Sequence, residues 1–363
     1  MRDPLVSIII PTFNDESDIL NCLNSIFDQT YTNWEVIIVN DASNDNTLDI
    51  ITSHWSADER IRVFTNAQNK GPGYSRKVGI NMASGEFIMF VDSDDLLPSK
   101  AIADLLTTAL RTNSDVTIGQ IKRFYFNQYF AKITREYDNK TISNSDIISD
   151  LYLAAFFYSD LNLMSLCGRL FKTKVFKNIS SDISELRWQE DACLTMEIHQ
   201  GFKSITFINK NVYLYRHGGV TASFNYDNLR QYLQLFKTKL LATDRYNCSK
   251  YKIAVFVELQ NHLYSYFSNY IRFVGTGKKQ FRQIYYSAIN NNELSEALTT
   301  GLKYSADLSH PYDQEVFKNI ITPFLDNDFD TLYANILLKY DKKKYIFLMM
   351  DKLKAVTKLL NFK

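Results

Sequence analysis

Cysteine is scarce in this chain, and the four present (Cys22, Cys167, Cys193 and Cys248) lie far apart with no CxxC pair. That spacing argues against a disulfide framework or a zinc site and fits a reducing compartment. No stretch reaches about 18 uninterrupted apolar residues, so no membrane-spanning helix is expected. In MRDPLVSIII the apolar run stops at Pro11, too early for a secretion signal, and the expected location is cytoplasmic. Excess charge is also missing: 41 basic and 40 acidic residues leave a net charge of +1, which gives no whole-molecule pull toward nucleic acid. Internal repeats and low-complexity linkers are absent too.

What is there suits a folded chain. At 363 residues it can bury a large core, in one big domain or two smaller ones, with 45% apolar and 22% charged residues. Aromatic residues are plentiful at 14%. The first hundred residues alternate strand and helix patterns. Val6–Ile10, Glu35–Val39, Ile61–Phe64 and Phe87–Val91 read as strands, and continuous apolar runs of this length suit parallel strands covered on both faces. Between the first two, Ile19, Leu20, Leu23, Ile26 and Phe27 recur at helical spacing, with Ser17 or Asp18 available as a cap. A helix after Gly73 is expected to turn Val78 and Met82 toward the sheet. This order predicts a doubly wound, mostly parallel α/β sheet. From about 115 to 225 the pattern is mixed: Asp115–Ile118 fits a strand, Ile147–Phe157 a helix, and Leu170–Phe176 and Ser204–Ile208 are ambiguous. Beyond Tyr226 the chain reads as helical.

In open α/β sheets, ligands bind outside the carboxyl ends of the strands. Three such ends are crowded with polar groups: Pro11-Thr12-Phe13-Asn14-Asp15, then Asn40-Asp41-Ala42-Ser43-Asn44-Asp45, then Asp92-Ser93-Asp94-Asp95. Each alone reads as a turn or a helix cap, and 44–47 in particular can cap a helix near Leu48. Together, parallel strands bring them to one edge. In the third, two acids at i and i+2 around a small serine can offer oxygens to magnesium or manganese, which keep open positions for phosphate oxygens.

The run VSIIIPTFND, EVIIVNDASNDNT, NKGPGYSRKVGINMASGEFIMFVDSDD resembles family 2 of the nucleotide-sugar glycosyltransferases, which have the GT-A fold. The likeness is close over about 5–110 and looser to about 223, through SLCGRLFKTKVF, WQEDACL and YLYRHGGVTAS. It implies a GT-A domain over 1–225, with a nucleotide-binding half (1–110) and an acceptor half (111–225), followed by a helical region over 226–363. It further implies that Pro11, Thr12, Phe13 and Asn14, with Asp41, bracket the nucleotide base, and that Asn69 and Arg76 lie near base, ribose or phosphate. Arg76 otherwise reads as a plain helix-surface arginine. Asp92-Ser93-Asp94 corresponds to the family's DxD motif, with Asp92 near ribose and metal and Asp94 on the metal that bridges the diphosphate. Asp95 is either a support for these acids or a cap for a helix starting at Leu96.

Glu190-Asp191 resembles the family's ED motif, which makes Asp191 the catalytic base; without the resemblance, two acids opening a helix through Leu194 and Ile198 explain the pair equally. His217 stands where some relatives carry a metal or diphosphate ligand, and Arg216 is a candidate diphosphate contact or a salt-bridge partner. Cys167-Gly168-Arg169-Leu170 matches a segment lining the acceptor side in relatives. Processive synthases carry QxxRW after the ED motif, whereas here Arg187-Trp188 precedes it, which implies a non-processive enzyme. The expected reaction is metal-dependent, inverting transfer from a UDP-linked sugar to a glycan, glycoprotein or lipid-linked acceptor in surface polysaccharide or glycoprotein synthesis. A catalytically silent relative serving as a scaffold subunit is the alternative. A sugar-phosphate nucleotidyltransferase needs a glycine-rich segment after the first strand, and PTFNDES has none. A dinucleotide fingerprint at 71–73 fails because Arg76 stands where its third glycine belongs.

In the helical third, Leu259, His262, Leu263, Tyr266, Phe267 and Tyr270 form a stripe expected to be core. From Lys339 to Lys363, eight lysines against two aspartates give a local excess of six positive charges. With its apolar residues, segment 340–363 reads as a helix that docks on the core, pairs with another subunit in a homo-oligomer, or lies peripherally on the inner face of a membrane.

Overall fold

A computed structural model describes residues 3–123, 138–157, 161–177, 179, 189–216, 224–302 and 311–338. They fall into two compact units, 1–217 and 218–363.

The first unit is built on eight strands: β1 (Val6–Thr12), β2 (Trp34–Asn40), β3 (Ile61–Thr65), β4 (Phe87–Phe90), β5 (Val116–Arg123), β6 (Thr141–Ile142), β7 (Arg169–Lys172) and β8 (Ile205–Tyr215). They form one sheet in the order β3-β2-β1-β4-β7-β5-β8-β6. The first four are parallel, with Ile9 opposite both Ile37 and Phe90, while β7 runs antiparallel to β4 and β5, and β5 parallel to β8. The expected doubly wound, mostly parallel sheet is therefore present. The ambiguous segments resolve into β7, a short 3-10 turn (Thr173–Phe176) and a long β8.

Helices α1 (Ile19–Phe27), α2 (Thr47–Trp55) and α4 (Ala101–Thr112) cover one face. Ile19, Leu23, Ile51, Ile102 and Leu105 pack there against Val6, Ile8, Ile10, Val36 and Met89. The opposite face of β1 carries Ile9, and α3 (Pro72–Met82) lies on it at Gly79, where a Cβ would stand 2.4 Å from Ile9 Cγ2. This corrects the expected face of α3. Gly73, Ser75, Arg76, Gly79 and Ile80 are buried, whereas Met82 is 37% exposed and Val78 half-buried. At Gly79 the helix sits too close to the sheet for any side chain. The α1 cap is also corrected: Asp18 occupies the N-cap position but makes no capping bond. The unit is completed by α5 (Ser145–Phe157), α6 (Leu161–Met164) and α7 (Glu190–Ile198), the last buried on nearly all sides.

Sheet order reverses between β1 and β4, because β1 continues through α1 to β2 on one side and α3 delivers β4 on the other. Such a switch point leaves a crevice at the carboxyl ends of the two strands. Thr12 and Phe90 are the last residues there.

The second unit contains α8 (Asn228–Arg245), α9 (Lys252–Phe273), α10 (Lys278–Ile289) and α11 (Asn292–Gly301). The aromatic stripe of α9 is core, as expected: Tyr266, Phe267 and Tyr270 are almost fully buried, and Phe281 packs against Phe267 and Tyr270 at 5.5 and 5.9 Å. His262 stacks on Tyr232 at 4.5 Å, and burial pushes its imidazole down to about 4. Fully buried Lys239 is paired with Glu258 at 2.7 Å, so its charge is met inside the bundle. Segment 340–363 lies outside the described residues. Among the described residues no helix is long and apolar enough to cross a membrane.

Candidate active site

Hydrogen bonds tie the three polar strand ends together. Asn14, at φ 56°, donates its backbone N–H to Ser43 Oγ at 3.0 Å and accepts from Asn44 N at 2.9 Å, joining the ends of β1 and β2. Asp15 Oδ2 accepts from Thr12 Oγ1 and Phe13 N, both at 3.0 Å, and from Ser93 Oγ at 2.5 Å, joining β1 to the acidic loop. Asp45 accepts from Thr47 N and Oγ1, which sets the start of α2, and from Glu16 N at 3.1 Å, a further tie between the ends of β1 and β2.

Pro11 and Thr12 are buried, while Phe13 is 42% exposed at the rim and Asn14 is exposed beside it. Asp41 is buried at the carboxyl end of β2. It accepts from Asn66 Nδ2 (2.7 Å), Lys70 N (2.9 Å) and Gly71 N (2.7 Å), and so fixes the turn leading into α3. Gly71, at φ 88°, takes a conformation that suits glycine just before Pro72 opens the helix. Half-buried Asn69 lies in the same turn.

Arg76 is not on the surface. It is 5% exposed and reaches from α3 to two other elements, donating from Nη2 to Asp92 Oδ1 at 2.8 Å and from Nη1 to Glu190 Oε1 at 2.6 Å. Burial works against its charge, but Asp92 and Glu190 outweigh that and hold Arg76 above its ordinary value. Its Nε has no partner among the described residues. Asp92 is gripped further: its N–H donates to Tyr213 Oη at 3.0 Å, and Cys22 Sγ and Cys167 Sγ approach its backbone and carboxylate oxygens at 3.5 and 3.6 Å.

Asp94 is different. Half-buried, its carboxylate has no hydrogen-bond partner beyond its own backbone among the described residues, and burial with the charges of Asp92 and Asp15 pushes it up to about 7. Asp95 is fully buried and accepts from Tyr213 Oη at 2.7 Å and Arg216 N at 2.6 Å. No helix begins at Leu96, since α4 starts at Ala101, so Asp95 is a tie between the acidic loop and the end of β8, not a cap. Arg216, expected either on diphosphate or in a salt bridge, pairs with Asp18 here. His217 lies outside the described residues.

Asp191 stands in the first turn of α7, after Gln189 in the left-handed region at φ 54°. Among the described residues it accepts only from its neighbour Ala192 N (2.7 Å), and burial, followed by the charge of Glu190, raises it to about 7. Arg76 thus places the acidic loop and the start of α7 on opposite sides of one guanidinium. Sequence reasoning placed Asp15 among the polar strand ends without a role, and missed Tyr213 and the role of Glu190. Asp15 was visible as the last residue of PTFND, and Glu190 as the neighbour of Asp191; Tyr213 carried no signal.

The chemistry on offer is a carboxylate set with one free member, plus a second carboxylate titrating near neutrality. Among the described residues no group of three or more His, Cys, Asp or Glu is arranged to hold a metal ion. Asp92 and Asp94 nonetheless fit magnesium or manganese, which use one or two carboxylates and take their other ligands from phosphate and water.

Residues 7–179 match the model of "Glycosyl transferase family 2". Residues 7–179 thus form a glycosyltransferase family 2 domain, as the motifs imply. Among curated proteins it is similar to glycosyltransferase GlyA of Streptococcus pneumoniae, 30% identical over 59% of this chain and 31% of GlyA. The chain thus spans about a third of that relative's length. It is 33% identical, over 40% of its length and 58% of the relative's, to the Escherichia coli UDP-Glc:alpha-D-GlcNAc-diphosphoundecaprenol beta-1,3-glucosyltransferase WfgD. Among solved structures, S. aureus TarS 1-349 in complex with UDP-GlcNAc aligns with TM-score 0.56 and 20% identity, over 93% of this chain and 92% of that one. That likeness shows the shared GT-A fold together with the helical region that follows it.

Proposed function

We propose that this chain is a metal-dependent, inverting glycosyltransferase that moves a sugar from a UDP-linked donor to an acceptor hydroxyl in bacterial polysaccharide synthesis. One observation carries the reading: the polar ends of β1, β2 and β4 meet at the switch point, and Arg76 joins that crevice to the helix bearing Asp191. Relatives supply the direction, since WfgD is named for a UDP-glucose donor and the TarS structure holds UDP-GlcNAc.

In this reading Pro11–Asn14 and the Asp41-held turn at 66–71 face the base and ribose, and Asp92 and Asp94 would hold a divalent cation, which when bound would supply Lewis-acid stabilisation of the departing diphosphate. Asp191 takes the proton of the acceptor hydroxyl while its oxygen forms a bond to the anomeric carbon. The bond from that carbon to the phosphate oxygen breaks, and its electron pair leaves with UDP. A base near 7 is matched to this work at neutral pH. Donor and acceptor on opposite sides of the sugar give inversion in a single displacement.

Calorimetric titration of UDP with and without manganese tests the assignment, followed by hydrolysis of a panel of UDP-sugars. Manganese is expected to tighten UDP binding about tenfold or more, a gain of ~1.4 kcal/mol, and Asp94→Ala to lose that gain. An Asp94→Ala chain with wild-type, metal-dependent UDP binding contradicts the cation site.

A further inference from the structure

The reach of Arg76 gives it a role that its position in the sequence does not suggest. One guanidinium binds two carboxylates, Asp92 beside the proposed cation site, 16 residues further along the chain, and Glu190 beside Asp191, 114 residues further along. We propose that Arg76 is a positioning residue, whose fork sets the distance and orientation between the acidic loop and the helix that carries the base.

Three features argue for this. First, the arrangement is expensive: an arginine 5% exposed, with Nε unpartnered among the described residues, pays a desolvation cost that apolar packing on the sheet would avoid. Second, both nitrogens that bond are terminal, and each takes a different acid at 2.6 and 2.8 Å, so the planar group acts as a rigid spacer. Third, both acids are near-neighbours of the residues assigned to the chemistry, Glu190 adjacent to Asp191 and Asp92 two residues before Asp94. Both terminal nitrogens are bonded to protein acids, so the orientation of the fork is set by the protein itself.

The inference rests on the donor reading above, and its test separates the two. Arg76→Lys keeps the charge but has one ammonium, which cannot span both acids. Steady-state hydrolysis of the preferred UDP-sugar is measured with calorimetric UDP binding in the same manganese buffer. The expected result is a kcat about ten- to a hundredfold lower, in line with small misplacements of reacting groups, with KM and the UDP Kd within about threefold of wild type. In a double-mutant cycle with Glu190→Gln, the double variant is expected to lose about as much as the worse single. UDP binding weakened about tenfold with kcat preserved makes Arg76 a nucleotide ligand and overturns the proposal, as do additive losses in the cycle. If Arg76→Lys does not fold, Glu190→Asp, which shortens the arm and keeps the charge, carries the same measurements and the same expectations. A wild-type chain that neither binds UDP nor hydrolyses any UDP-sugar contradicts the donor reading itself, a result distinct from a wild type that does both.

Discussion

Asp94 shows how this site handles charge. Asp92 is matched by Arg76, and Asp95 is spent on Tyr213 and Arg216, so Asp94 is the acid left for the proposed cation. Without one, its carboxylate is raised to about 7 by burial and by Asp92 and Asp15. A raised carboxylate means that the folded state binds more protons than the unfolded state between about pH 4 and 7, so this group's contribution to stability falls as pH rises through that window. Asp94→Asn removes it. In chelator, the melting temperature of Asp94→Asn relative to wild type is expected to rise from pH 5 to pH 8; a difference that stays constant or falls contradicts the raised carboxylate. The residue types at 92–95 announced an acidic site, but not how the acids divide the work. That division depends on Tyr213 and Arg76, which come from other elements, and no local spacing encodes such pairing.

At the scale of elements, α3 positions the site by lying unusually close to the sheet. Gly79 leaves no room for a side chain against Ile9, and this approach carries Arg76 inward. Gly79→Ala is expected to destabilise the chain by ~1–3 kcal/mol, as for an overpacked core position, read as a fall in denaturation midpoint. An unchanged midpoint would show that Ile9 yields freely. Strand positions were legible because parallel strands buried on both faces read as continuous apolar runs. The face of α3 was not: Ile80 is buried in place of Val78 and Met82, because the close approach at Gly79 sets which residues face the sheet, and periodicity does not score that. The convergence of strand ends followed from topology alone, whereas the bonds that lock them, Asp15 to Ser93 and Asn14 to Ser43, needed coordinates.

At the scale of the molecule, residues 7–179 carry the family 2 domain, and the likeness of fold extends through the helical region. The central claim is that the crevice at the β1–β4 switch point performs sugar transfer with Asp191 as its base. The most direct measurement compares Asp191→Asn with wild type for turnover of the preferred UDP-sugar and for UDP binding, in the same manganese buffer. The account predicts turnover at least about a hundredfold lower, the scale of a lost general base, with UDP affinity unchanged. An Asp191→Asn chain that transfers sugar at the wild-type rate would contradict it.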